Sequence, residues 1–470
     1  FLERFEKRFG TRPAEWHSEV SPRIRERVWR GVADGSVKVV AGARSALFLP
    51  FAALGLVIVD EEHDLAYKQE ERVFYNARDM AVVRGHIGGF AVVLSSATPS
   101  IESRVNADAG RYTRIVLSDR YAAAQLPETT AIDMREAQPE RGRYLSPPLV
   151  KAVTETLAEK QQALLFLNRR GYAPLTLCRA CGHRFQCPNC STWLVEHRFR
   201  GVLLCHHCGH SEKRPEQCPN CGATESLVAV GPGVERLAEE VAQRWPDART
   251  ILLSSDLIGG VERLRQELAA IERGQADIII GTQLVAKGHN FPYLTLVGVV
   301  DGDLGLAFGD MRAAERTFQL LSQVTGRAGR AGGASRALVQ TFAPDNPVIR
   351  AIVSGDTEAF YASEIAARRE AGLPPFGRLA GIIVSGPDRA PAQGYANAFR
   401  RAEPPADRIG VLGPAEAPLA VVRGRHRFRL LVHAPRNADI QGWLQAWLDA
   451  APPPRGGVRV QIDIDPQSFL

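Results

Sequence analysis

Outside residues 178–221 this 470-residue chain contains no cysteine, although it has eight in all. That clustering excludes a disulfide framework spread over the fold, and no signal peptide is legible that would place the chain in an oxidising compartment. No apolar run approaches the roughly 18 residues of a membrane-spanning helix, which excludes a helical membrane anchor in this sequence. Neither sign of charge dominates: the net charge is +6 and the isoelectric point about 8.9, compatible with nucleic acid but too mild to establish it. No internal repeat is found apart from the cysteine pairs. There is no initial methionine; the chain opens Phe1-Leu2-Glu3-Arg4 inside an amphipathic pattern and reads as a fragment without its natural start. What remains is ordinary for a soluble globular protein, 45% hydrophobic and 23% charged, with a length suited to two to four domains.

The cysteines form four Cys-x-x-Cys pairs: Cys178/Cys181, Cys187/Cys190, Cys205/Cys208 and Cys218/Cys221. Such a turn brings two thiolates to one metal ion, and eight thiols supply two tetrahedral zinc sites with bonds of about 2.3 Å. Proline and glycine punctuate the pairs in zinc-ribbon style, as in Cys187-Pro188-Asn189-Cys190 and Cys218-Pro219-Asn220-Cys221-Gly222. His183, His206, His207 and His210 lie close by, but the thiols suffice and the histidines read as surface residues. Spacing alone permits sequential or nested pairing of the Cys-x-x-Cys turns.

Along the chain, Leu54–Val59 and Ala91–Leu94 are continuous apolar runs, as expected of strands buried on both faces. A polar stretch at Gln125–Thr130 reads as a linker. Helices are expected over Leu149–Glu159, Val234–Gln243 and Ala313–Gln323, and strands over Ala163–Leu167, Asp277–Ile280 and Leu296–Val300. Alternating strands and helices imply parallel sheets, one block on each side of the linker, with the cysteine module inserted in the second. Beyond Pro344, proline clusters mark a separate small α+β domain.

Asp60-Glu61-Glu62-His63 ends an apolar strand, and the carboxyl end of a parallel strand is where an α/β sheet binds nucleotide. Asp60 can hold Mg²⁺, Glu61 can orient an attacking water, and His63 can couple the site to a neighbouring lobe. Ser95-Ser96-Ala97-Thr98-Pro99 ends the next strand. In the second block come Gly281-Thr282-Gln283, Lys287-Gly288-His289 and then Gln323-Val324-Thr325-Gly326-Arg327-Ala328-Gly329-Arg330. Arg327 and Arg330, set by glycines, suit arginine fingers that stabilise charge on a transferring phosphoryl group.

This order of motifs resembles superfamily 2 helicases. With Ala41–Phe48, Phe166–Pro174, the four cysteine pairs and Leu373-Pro374-Pro375-Phe376, the chain is similar to the primosomal protein N′ (PriA) family of bacterial replication restart helicases from end to end. The resemblance implies an α/β protein of two RecA-like lobes, the first incomplete. The first would occupy 1–122 and the second 123–177 and 222–343, with a two-zinc insertion at 178–221 and a C-terminal DNA- and partner-binding domain at 344–470. It implies ATP with Mg²⁺ as cofactor, 3′→5′ unwinding at stalled forks, and a bacterial cytoplasmic, nucleoid-associated location. The implied partners are branched and single-stranded DNA, single-stranded DNA-binding protein, primosome proteins and the replicative helicase loader. It also implies nested zinc ligation: Cys178, Cys181, Cys218 and Cys221 around one ion, Cys187, Cys190, Cys205 and Cys208 around the other.

Candidate DNA contacts follow the acidic motif. Tyr67-Lys68 and Phe74-Tyr75 interleave aromatics with a cation, which suits base stacking beside phosphate contact. The family has a tryptophan in this loop and Gly-Thr-Arg near Arg44; here the loop has no tryptophan and Ala43 precedes Arg44. Arg423, Arg425, Arg427 and Arg429 alternate, so period two would set all four on one face of a strand.

One part of the machine is missing from the 470 residues. The Gly-x-x-x-x-Gly-Lys-Ser/Thr loop that cradles β- and γ-phosphates does not occur. In the family it precedes the segment matching Phe1. Hydrolysis by residues 1–470 alone is therefore not expected. The alternative is a non-catalytic, zinc-bearing DNA-binding primosome scaffold on a degenerate helicase fold; the acids and arginines favour the motor.

Overall fold

The computed structural model describes residues 1–470 except 71–72, 118–125, 169–174, 179, 182, 184, 190–193, 198–200, 206–209, 225–226, 231–233, 254–260, 287–290, 307–309, 330–333 and 469–470. The chain divides into two compact units, Phe1–Arg104 and Val105–Leu470. Among the described residues no helix is long and apolar enough to cross a membrane.

In the first unit the strands Leu56–Asp60 and Ala91–Ser95 pair in parallel, with Asp60 opposite Ser95. The helix Ala77–Gly88 packs against both strands. Its start is set locally, since the Asn76 side chain accepts from Arg78 N–H. Burial on both faces, expected for these strands, is not what the structure has. Among the described residues this sheet has two strands, and its face away from the helix is open: Leu56, Ile58 and Val93 are 49%, 63% and 46% exposed. A second small core of Val28, Val32 and Leu49 holds the parallel pair Ala14–Trp16 and Val40–Gly42.

The second unit is built on a six-stranded, wholly parallel sheet. Its strands run in the order Thr250–Leu253, Ile278–Gly281, Gln162–Phe166, Leu294–Val299, Arg336–Thr341, Glu128–Asp133. Every residue of the central Gln162–Phe166 is buried, as a strand covered on both faces requires. The helices Pro147–Ala158 and Val234–Arg244 supply Leu149, Val153, Leu237 and Val241 to the core. The expected linker is partly strand. Glu128–Thr130 lie in the edge strand Glu128–Asp133, where the β-branched Thr129 and Thr130 pair with Arg336–Thr341 on one side only.

The insertion rises from this unit on a two-stranded stem. Leu175–Cys178 pairs antiparallel with Leu227–Val230, Cys178 opposite Leu227. Beyond it, Val195–His197, Val202–Leu204 and Ser211–Lys213 form a three-stranded antiparallel sheet. The C-terminal domain is a four-stranded antiparallel sheet in the order Gly410–Val422, Arg425–Pro435, Gly377–Gly386, Arg459–Ile464. The helices Arg389–Arg401 and Ile440–Ala450 share one core with it. There Trp447 stacks on Phe399 at 4.6 Å and donates its indole N–H to the Phe399 carbonyl.

Candidate nucleotide site and metal centre

The acidic motif begins where Leu56–Asp60 leaves the sheet. Glu61 has a left-handed backbone, φ 49°, unusual for a residue with a side chain. This sharp turn separates the fates of neighbouring carboxylates. Asp60 is exposed and Glu61 about half exposed, while Glu62 is turned inward at 2% exposure. The Glu62 carboxylate accepts from Ser100 N–H at 2.6 Å, Ser100 Oγ at 3.0 Å, Ser103 Oγ at 3.0 Å and Arg78 Nη1 at 3.2 Å. Its own N–H donates to the Ser95 carbonyl. Glu62 thus ties the acidic turn to the start of the helix Ile101–Asp108 and to the start of Ala77–Gly88. Arg78 is buried, which opposes its charge, but Asp79, Glu102 and Glu62 outweigh that and raise its pKa.

His63 stands within the same unit's motifs. Its Nδ1 lies 2.7 Å from Ser96 Oγ and 3.7 Å from Glu61 Oε2. Ser96 Oγ also accepts from Thr98 N–H. The Ser-Ala-Thr motif and the acidic motif are therefore joined through His63 at the open ends of adjacent parallel strands.

The aromatic loop candidates divide as well. Lys68-Gln69 pairs antiparallel with Tyr75-Asn76. Tyr67 donates its hydroxyl to the Asp60 carbonyl at 2.6 Å, and burial, with Asp60 next, pushes its pKa up to about 12. Tyr75 packs edge-on to Phe48 at 5.2 Å. Lys68 is buried, and its carbonyl accepts from Arg44 Nη1. Phe74 is half-buried beside them. Tyr67 thus braces the loop against the acidic turn, while Arg44 and Tyr75 tie it to the segment Arg44–Phe48.

In the second unit, Gly281 ends its strand where a side chain would run into Val285, and Thr282 N–H donates to the Leu253 carbonyl. Gln323 is half-buried in the last turns of the helix Ala313–Thr325, and Arg327 follows it, 5% exposed. Lys287-Gly288-His289, Arg169–Pro174 and Arg330 lie outside the described residues. Asp301 and Asp303 belong to none of the sequence motifs above and follow the strand Leu294–Val299. Asp303 binds Thr341 Oγ1 and Phe342 N–H, and burial raises the pKa of Asp301. Their signal was the one used for Asp60: acids at the end of an apolar strand.

The metal centre is nested at its base. The sulfurs of Cys178, Cys181, Cys218 and Cys221 all lie within 4.8 Å of one another, with Cys178–Cys221 at 3.6 Å and Cys181–Cys218 at 3.7 Å. A zinc–thiolate tetrahedron with bonds of about 2.3 Å has edges of about 3.8 Å, so this donor set fits zinc. Three knuckles share one backbone device: Cys178, Cys205 and Cys218 N–H donate to the carbonyls of His183, His210 and Ala223. Asn220 Nδ2 approaches Cys181 Sγ at 3.5 Å and, as the largest influence, lowers its pKa. Cys187 and Cys205 are buried in the same core as Phe185, Leu194 and Leu203; Cys190 and Cys208 lie outside the described residues.

The arginine stripe is corrected at one position. Arg423 is not on the strand: Arg423-Gly424 is the two-residue turn between Val422 and Arg425, with φ of 50° and 71°. Arg425, Arg427 and Arg429 do alternate with Phe428 and Leu430, which face the core. Arg425 is held by the carbonyls of Ser385 and Gly457, and burial lowers the pKa of Arg427. At the tip, Gly424 N–H donates at 2.8 Å to the carbonyl of Asn189, inside the Cys187–Cys190 knuckle.

Two family models match the chain. Primosomal protein N C-terminal domain covers residues 369–467, and PriA DNA helicase Cys-rich region (CRR) domain covers 187–213. Among solved structures, RecG bound to a three-way DNA junction aligns loosely, over 78% of this chain and 41% of its own, at 15% identity and a TM-score of 0.38. The replication restart protein PriA of Rickettsia felis is 44% identical over 468 residues, spanning 100% of this chain and 72% of that protein. Those of Bacillus subtilis and Haemophilus influenzae are 38% and 37% identical, again over 100% of this chain and over 58% and 64% of their own lengths. With its cysteine knuckles, its C-terminal sheet and an identity that runs its whole length, the chain belongs to the replication restart protein PriA family.

Proposed function

We propose that the chain forms most of an ATP-driven DNA helicase that unwinds 3′→5′ at stalled forks and starts reassembly of the replication machinery. One observation carries this reading: the left-handed turn at Glu61 leaves Asp60 and Glu61 open at the end of a parallel strand while Glu62 anchors the turn behind them. Asp60 would hold Mg²⁺, usually through water, and Glu61 would orient the attacking water. His63 would relay the state of the site to Ser96. Arg327 and Arg330 would stabilise developing phosphate charge. Tyr67, Lys68, Phe74 and Tyr75 with Arg44, and the arginines of 423–429, are the proposed DNA contacts. Single-stranded DNA-binding protein and the primosome are the proposed protein partners, and two zinc ions the proposed metal content. Bound nucleotide would supply the phosphoryl group whose transfer drives unwinding. Because the phosphate-cradling loop is absent from residues 1–470, the test belongs in the full-length protein. Glu61→Gln should abolish hydrolysis and leave DNA binding intact. An unchanged hydrolysis rate would refute the assignment.

A further inference from the structure

Resting on that motor reading, we propose that Arg368 and Glu315 are positioning residues through which the C-terminal region sets the DNA-stimulated rate of hydrolysis. The helix Ala313–Thr325 carries Gln323 near its end, and Arg327 lies just beyond it. Its first turn is held from outside the parallel sheet. Glu315, 4% exposed, accepts from Arg312 Nη1 at 3.3 Å and from Arg368 Nη2 at 2.8 Å. Arg368, 3% exposed, belongs to the helix Thr357–Glu370. It also donates to Glu364 at 2.8 Å and to the Pro374 carbonyl at 3.4 Å. One turn further along, Phe318 stacks on Phe360 at 3.9 Å and 9°, with Tyr361 edge-on to Phe318.

The chain from Arg368 leads at once into the C-terminal sheet. Leu373 N–H donates to the Arg368 carbonyl, Arg369 lies 4.7 Å over the Phe376 ring, and Gly377 begins a central strand. One path of buried contacts therefore runs from that sheet through Pro374, Arg368 and Glu315 to the helix that ends before Arg327. Buried ion pairs are a poor way to gain stability, since apolar residues of similar volume do as well or better. What they provide is geometry: a guanidinium held by Glu315, Glu364 and the Pro374 carbonyl tolerates few positions. Such packed contacts shift between discrete arrangements rather than deforming smoothly. A nucleic acid strand held by the C-terminal sheet would bias the motor segment through this path.

The test uses the full-length protein, with hydrolysis measured at saturating ATP with and without forked DNA. Arg368→Met should keep the DNA-free rate within about twofold and lower the stimulation by DNA about tenfold, a typical coupling between sites. The KM for ATP should not move, and Arg368→Lys should recover part of the stimulation. A purely structural role would lower thermal stability and leave the stimulation ratio alone. Full stimulation in a folded Arg368→Met protein overturns the proposal. If that variant does not fold, Glu364→Ala removes a single acceptor of Arg368, and unchanged stimulation there overturns it equally. Absence of hydrolysis in the unsubstituted protein overturns the motor reading itself, and this coupling with it.

Discussion

Glu61 and Glu62 are neighbours with opposite chemistry. Glu62 has four donors and almost no solvent contact. Removing its carboxylate would take a buried acceptor from three serine donors and from Arg78, which keeps Asp79 and Ser100. Breaking one partner of a buried pair costs about 3–5 kcal/mol. We therefore expect Glu62→Ala to lower unfolding free energy by about that much in a denaturant titration, and Glu61→Gln to change it little. Equal stability of the two variants would count against the anchor. The motif Asp60–His63 was legible as a unit, but not this division of labour. The partners of Glu62 are Arg78, Ser100 and Ser103, which chain spacing does not reveal; only folding brings them to it.

Elements were more legible than residues. Val234–Gln243 and Ala313–Gln323 are expected helices and the structure has Val234–Arg244 and Ala313–Thr325. Asp277–Ile280 is an expected strand and Ile278–Gly281 is found. Strong apolar periodicity made these robust. Two readings failed because composition was local and the deciding contact was not. Glu128–Thr130 is polar yet becomes strand by pairing with Arg336–Thr341. Arg423 keeps the period-two charge pattern yet falls in the turn, since Gly424 after it permits the left-handed pair. Both mistakes stop at element ends. At this scale the zinc module is the clearest test. Four thiolates at the base fit one ion, and the buried Cys187 and Cys205 start two further knuckles in the same core. Metal analysis of protein purified without chelator should give two zinc ions per chain, at four thiolates each. Exchanging Cys218 for serine should lower that to about one, and loss of both ions together would mean the sites do not bind independently.

At the scale of the molecule, sequence order told which segments exist but not which ones touch. The helix Pro347–Ser354 lies beyond Pro344, where the C-terminal domain was expected to begin, yet it packs against the motor strand Glu128–Asp133 and the helix Ala313–Thr325. Phe318 and Phe360 then join the next helix to the same surface. No local pattern announces such contacts, because apolar faces of amphipathic helices look alike whatever covers them.

The hydrogen bond from Gly424 to Asn189 makes the metal knuckle a clasp on a long loop of chain. One backbone hydrogen bond contributes only about 1 kcal/mol, so it lasts while both turns keep their shapes. A rigid knuckle keeps its carbonyl aimed at the hairpin; a metal-free one has no such template. Stripping zinc should therefore release the tip and expose the Arg423–Gly424 peptide bond to trypsin. Mass spectrometry of a timed digest would follow the fragment ending at Arg423, faster with chelator than without. Equal rates would mean the hairpin holds its place without the metal. If the rates differ, metal held by the cysteine module governs how long a peptide bond more than two hundred residues further along the chain survives.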